Sequence, residues 1–278
     1  MVRGLIIPAM LIGFSAILGG ETSLAQSKRN AEVREEFDRK ADSPDSVIGR
    51  AMKLYKQGEY SEALKLFQRY AIAVKAQFGP NHPEYAVALN NMAEMLRLLN
   101  RPVEAEALYR QVLAIDDKYR DRVEAAIHRS NFAALLEQTG KLEEAERLRR
   151  AALAIMERHY GAEHPEVSTA LNDLAVLLKD KNRLREAETL LRRALSIDET
   201  LLGSSHANTA RDLNNLGQVL EDESNLKESE DVTRRALAID EKTFGPSDPR
   251  ILPSLSNLAS LLSETGQIRG RNGDPPCA

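Results

Sequence analysis

The chain has 278 residues, 42% of them apolar and 29% charged, with a formal net charge of −4. That balance suits a globular chain and argues against binding nucleic acid by neutralising phosphates. A single cysteine, Cys277, excludes an intramolecular disulfide framework and a cysteine-only metal cage, and with no Trp and only 5% aromatics the core must be aliphatic.

The first 25 residues differ in character from the rest. Arg3 precedes an uncharged run from Leu5 to Leu18, and Ser23-Leu24-Ala25 gives a small-x-small ending. This pattern reads as a secretory signal peptide with cleavage after Ala25. The run is shorter than the roughly 20 residues a spanning helix needs. An uncleaved N-terminal anchor is the alternative, and only then would the chain touch a membrane. Export would place the protein in a bacterial periplasm or outside the cell. Residues 26–45 form a polar spacer, and 269–278 a disordered tail.

Between them, residues 46–268 repeat one unit about four and a half times. Asn91, Asn131, Asp173, Asn215 and Asn257 form one column, spaced 40, 42, 42 and 42. Glu62-Ala63, Glu104-Ala105, Glu144-Ala145, Glu186-Ala187 and Glu228-Ser229 form a second in the same register, and Leu113, Leu153, Leu195 and Leu237 a third. Each unit predicts two helices: Leu171, Leu174, Ala175 and Leu178 have helical spacing, and so do Leu148, Ala151, Ala152 and Ile155. Gly58, Gly140 and Asn182 fall in the turn between them, where a left-handed C-cap is expected. Phe78-Gly79-Pro80-Asn81-His82-Pro83 and its counterparts join successive units, Gly ending one helix and Pro opening the next. The connector at Tyr119–Val123 lacks both Gly and His-Pro. A lone pair of this kind cannot bury its apolar face, so stacked neighbours share one core. The last unit keeps only its first helix, whose Ser254, Ser256, Ser260 and Ser263 would give a polar outer side.

The Glu-Ala, Leu and Ala columns resemble the tetratricopeptide repeat, whose usual period is about 34 residues. The longer period here, with Leu-Asn-Asn-Leu and Gly-Pro-x-His-Pro, is similar to the kinesin-light-chain type. The resemblance implies an all-α, right-handed α-solenoid of helix-turn-helix repeats whose first helices line a concave groove for a partner peptide. It further implies that Asn91, Asn131, Asn215 and Asn257 project into that groove and hydrogen-bond a bound main chain, as an amide can do without regard to sequence. Asp173 departs from the column and would favour a partner donor or a positive charge. Asn90, Asn172 and Asn214 in the preceding column, with Arg97 and Lys179 further along, complete the candidate groove. The competing role for these amides is to bridge adjacent helices inside the array. Cations are missing from the column at Asn90, Ser130 and Asn172, which disfavours a carboxylate clamp for chaperone tails.

Other recurrent residues read as structural. His82, His164 and His206, with Asp248 in the same slot, suit helix starts better than metal, because no unit brings several ligands together. Arg149-Arg150, Arg192-Arg193 and Arg234-Arg235 read as a solvated outer face, with Glu146, Glu188 and Glu230 placed for i,i+4 pairing. Catalytic and phosphate-binding motifs are absent from the sequence, so neither an enzyme nor a small-molecule cofactor is expected. The sequence therefore reads as a non-catalytic scaffold that binds a peptide or helical segment of a protein partner, with no nucleic acid involved. The alternatives are an accessory subunit of a protease-like or other enzyme system, or a self-associating envelope protein.

Overall fold

The structure, a computed structural model, describes residues 44–119, 122–264 and 266. Every regular element among them is a helix, and they come in consecutive pairs: α1 (Pro44–Lys56) and α2 (Tyr60–Phe78), α3 (Pro83–Leu98) and α4 (Pro102–Asp116), α5 (Glu124–Gln138) and α6 (Leu142–Tyr160), α7 (Pro165–Asp180) and α8 (Leu184–Leu201), α9 (Ala207–Asp222) and α10 (Leu226–Phe244). A 3-10 turn, Pro249–Ile251, then leads into α11 (Leu252–Glu264). The leader at 1–25, residues 26–43 of the spacer and the tail at 269–278 lie outside the described residues, and Pro44 and Asp45, read as the end of the spacer, open α1 instead.

One backbone device ends every first helix. Gly58, Asn100, Gly140, Asn182, Ser224 and Gly266 share a column, and all six have positive φ, between 57° and 79°. A left-handed residue here lets the next N–H return to a carbonyl of the last helical turn, as in Asn225 N to Leu220 O at 2.8 Å and Arg183 N to Leu178 O at 2.9 Å. Gly and Asn enter this region readily, and Ser224 does so at greater cost.

A second device opens the first helices. The Nδ1 atoms of His82, His164 and His206 accept from the backbone N–H groups of Glu84, Glu166 and Asn208, each at 3.2 Å. Asp248 performs the same role toward Arg250 N at 2.9 Å. These are side-chain N-caps, and the acceptor role requires a neutral imidazole. The aromatic residue that ends the preceding helix stacks on the cap: Phe78 on His82 at 4.6 Å and Tyr160 on His164 at 4.3 Å. Where Asp248 caps, Arg250 covers Phe244 instead, at 4.0 Å. The helix-start role expected for this slot is therefore what the four residues do.

The chain divides into two compact units, Met1–Leu148 and Arg149–Ala278. In the first, α1 to α5 pack in order, and Ala86, Leu89, Val112 and Ile115 form an aliphatic cluster between α3 and α4. Tyr109 stacks on Phe132 at 5.3 Å and is fully buried. In the second, α7 to α11 pack in order around Leu174, Leu178, Leu191, Leu216 and Leu220. The Ala column holds Ala93, Ala133 and Ala175 with no exposure, because two helices meet closely there. Gly217 replaces Ala in that column, since a Cβ would lie 2.4 Å from Thr233 Oγ1.

Two expectations need correction. Arg149 is not on a solvated face: it is 8% exposed. It shares a column with Tyr109, Leu191 and Thr233, which points at the core. Ser254 is not on an outer side either. It is fully buried and its hydroxyl donates to Asp240, whereas Leu252 and Leu255 of the same helix are exposed.

Candidate functional site

The first helices carry the polar columns, and the structure shows what each side chain touches. In the first unit, Asn131 Nδ2 on α5 donates to Asn90 Oδ1 on α3 at 3.1 Å. In the second unit, Asn215 Nδ2 on α9 donates to Asn172 Oδ1 on α7 at 2.6 Å, and Asn214 Nδ2 donates to Ser254 Oγ on α11 at 2.6 Å. The Asn column of one repeat thus bonds the preceding column of the repeat before it. A further row runs from Lys179 Nζ to Gln218 Oε1 at 3.2 Å and from Gln218 Nε2 to Asn257 Oδ1 at 3.3 Å. These amides bridge neighbouring first helices, which is the structural role open to them from the start.

The bridges do not use up the amides. An Asn side chain offers two N–H donors and an acceptor oxygen. Asn91 Nδ2, Asn214 Oδ1 and Asn257 Nδ2 are buried and have no hydrogen-bond partner. Leaving such a group unmade costs about 1–3 kcal/mol.

The charged candidates are committed internally. Arg97 grips Glu94 with two bonds, at 2.9 and 2.7 Å, and Glu94 also accepts from Tyr109 Oη at 3.1 Å. Burial beside that carboxylate pushes the Tyr109 hydroxyl well above its usual value. Asp173 already has its positive partner, Arg149 Nη1 at 2.7 Å. The two departures explain each other: Asp173 stands alone as an acid in the Asn column, and Arg149 stands alone as a cation in the Tyr-Arg-Leu-Thr column.

One set of residues was missed in the sequence. Asp116, Asp198 and Asp240 occupy one column at the ends of the second helices, and His128, Asp212 and Ser254 occupy the facing column of the following first helix. His128 Nδ1 lies 3.2 and 3.1 Å from the two Asp116 oxygens, and Arg211 Nη2 stands 3.5 Å from Asp198 and 2.8 Å from Asp212. The repeat that has Met156 in the first column has Ala170 in the second. That matched change in polarity was legible by comparing the repeats with each other. Burial pushes the Asp240 carboxyl up, against the bonds it receives from Ser254 and Asn214.

Among the described residues, no group of three or more His, Cys, Asp or Glu is arranged to hold a metal ion, and no helix is long and apolar enough to cross a membrane.

The fold is shared with solved proteins. A Podosopora anserina protein described as a kinesin light chain with nearly identical TPR-like repeats superposes with a TM-score of 0.63 at 22% identity, over 71% of this chain and 95% of that one. A point variant of that protein gives 0.64, again at 22% identity, over 71% and 94%. BtubC (BKLC) from P. vanneervenii gives 0.58 at 21% identity, over 92% of this chain and 96% of that one. Among curated proteins none matches. The sequence matches the tetratricopeptide repeat family over residues 47–118, 124–200 and 183–242. With its paired helices, shared turn column and amide-bearing first helices, the chain belongs to the tetratricopeptide repeat family.

Proposed function

We propose that this protein is a non-catalytic protein–protein interaction scaffold, and that it holds an extended peptide or helical segment of a partner against its first helices. The observation that carries the reading is the ladder of amides along those helices, Asn131 to Asn90 in the first unit and Asn215 to Asn172 and Gln218 to Asn257 in the second. Bridging sets the orientation of these amides before a partner arrives. Preorganised groups bind with less ordering cost. The row is amide-rich and its charges are internally paired, which suits recognition of main chain over a charged tail. The leader-like pattern of residues 1–25 supports an exported location, the periplasm or outside the cell.

The test uses cross-linked capture from an envelope extract. The full chain is compared with a variant carrying Asn91→Ala. Asn131, Asn215 and Asn257 are left alone because their bridges hold helices together. The two chains must unfold at matching temperatures. A protein captured by the native chain and lost by the variant is the expected result. Equal capture by both would move binding away from the amide rows.

A further inference from the structure

The second unit contains a pair of buried acids that share one guanidinium. Asp198 at the end of α8 and Asp212 on α9 are both completely buried. Neither oxygen of Asp198 receives a hydrogen bond from an N–H or hydroxyl donor, although Arg211 Nη2 stands 3.5 Å from it. Asp212 is better supplied. Arg211 donates to its Oδ1 from Nε at 3.0 Å and from Nη2 at 2.8 Å, and the Ser168 hydroxyl of α7 lies 3.4 Å from its Oδ2. One guanidinium therefore serves two buried carboxyl groups. Two bare carboxylates held at one guanidinium in a site closed to water repel each other, and one proton on the pair turns that repulsion into an attraction. α10 and α11 bring their own acid, Asp240, to Ser254 and Asn214, not to this pair.

We propose that a proton shared between Asp198 and Asp212 latches α8 to α9, so that the second unit tightens on acidification and loosens on alkalinisation. Burial, reinforced by Asp198, pushes the Asp212 carboxyl from 3.8 up to about 7, against the pull of Arg211. The sign follows. Between the unfolded and folded values the folded chain binds the extra proton, so lowering the pH through this window stabilises it and raising the pH costs stability. The change falls on α9, the helix that carries Asn214, Asn215 and Gln218. The latch stands whether or not those residues bind a partner.

The experiment compares the full chain with Asp212→Asn, and separately with Asp198→Asn. An amide in either position donates permanently and copies the protonated pair. Thermal unfolding is followed near pH 5.5 and near pH 8.5, that is, about 1.5 units on either side of the Asp212 value. Each variant is expected to unfold several degrees above the native chain at the higher pH and level with it at the lower. A gap of equal size at both pH values would overturn the proposal. A carboxyl carbon-13 titration of the native chain gives an independent reading. An Asp212 resonance moving near neutrality supports the latch, and one titrating in the ordinary carboxylate range would sink it.

Discussion

At the scale of single residues, paired departures from the repeat pattern identify the contacts that matter. Arg149 and Asp173 are one such pair, joined at 2.7 Å. Removing one partner of a buried ion pair leaves the other uncompensated, which costs about 3–5 kcal/mol when burial is complete. Asp173 keeps 32% of its side-chain exposure, so a smaller loss is expected. We expect Arg149→Leu to cost about 2 kcal/mol in denaturant unfolding. Adding Asp173→Asn should recover most of it, because the double variant recreates the Leu191 and Asn215 combination of the next repeat. A double variant no better than the single one would show that the pair is not coupled. Gly217 and Thr233 form a second pair. Gly217→Ala gains about 1 kcal/mol of helix propensity but drives a methyl into Thr233 Oγ1, and overpacking a tight interface costs about 1–3 kcal/mol. The crowding should win in the native background. With Thr233→Ala already present, the same substitution should become stabilising, and a double-mutant cycle reads the difference directly.

At the scale of helices, the two capping devices respond to different variables. The turn column tolerates three residue types at one backbone conformation, so its cost depends on the side chain. Ser224 sits at φ 61° without the local advantages of Gly or Asn. Ser224→Gly should raise stability by about 0.5–1 kcal/mol with no change in contacts, measured as a shift of denaturation midpoint at constant slope. The opening cap depends on pH instead. His82 must be neutral to accept from Glu84 N, and burial lowers its affinity for a proton. Its folded value is thus below the unfolded one of about 6.5. The stability it contributes is complete above that unfolded value and is lost as pH falls through the folded one. Asp248, held down to about 2 by Arg250, caps throughout that range. His82→Asp should therefore reduce the acid-induced rise in amide exchange at the start of α3. The left-handed turn was legible at Gly58, Gly140 and Asn182 from residue type alone. At Asn100 the same residue type carries the same signal, whereas at Ser224 the turn was legible only through the column, because a serine carries no backbone signature of its own.

At the scale of the whole molecule, periodicity made the fold legible and left the site half read. Spacing put Asn91, Asn131, Asn215 and Asn257 on equivalent faces, but a column does not reveal which atoms are spent on a neighbour one repeat away. Asn131, Asn215 and Asn257 turn out to be bridges, while Asn91 and Asn257 keep an unpaired donor. The charges of the second helices were read as pairs within a helix. Arg192 with Glu188 and Arg234 with Glu230 are such pairs. Other pairs join successive repeats: Arg110 to Glu144 at 3.1 Å in the first unit, Arg150 to Glu186 and Arg192 to Glu228 at 2.6 Å in the second. Packing likewise joins each helix to the next or next but one in its unit. Stability in such a chain is close to a sum of local repeat terms and nearest-neighbour terms, so damage should stay local. Leu191 is fully buried between α7, α8 and α9, where truncation to Ala opens a cavity costing about 2–5 kcal/mol. Leu191→Ala should speed amide exchange through α7 to α9 and leave α2 and α3 at native rates. A single cooperative transition, with exchange raised equally in every helix, would contradict the additive picture. It would mean that the two units unfold as one body.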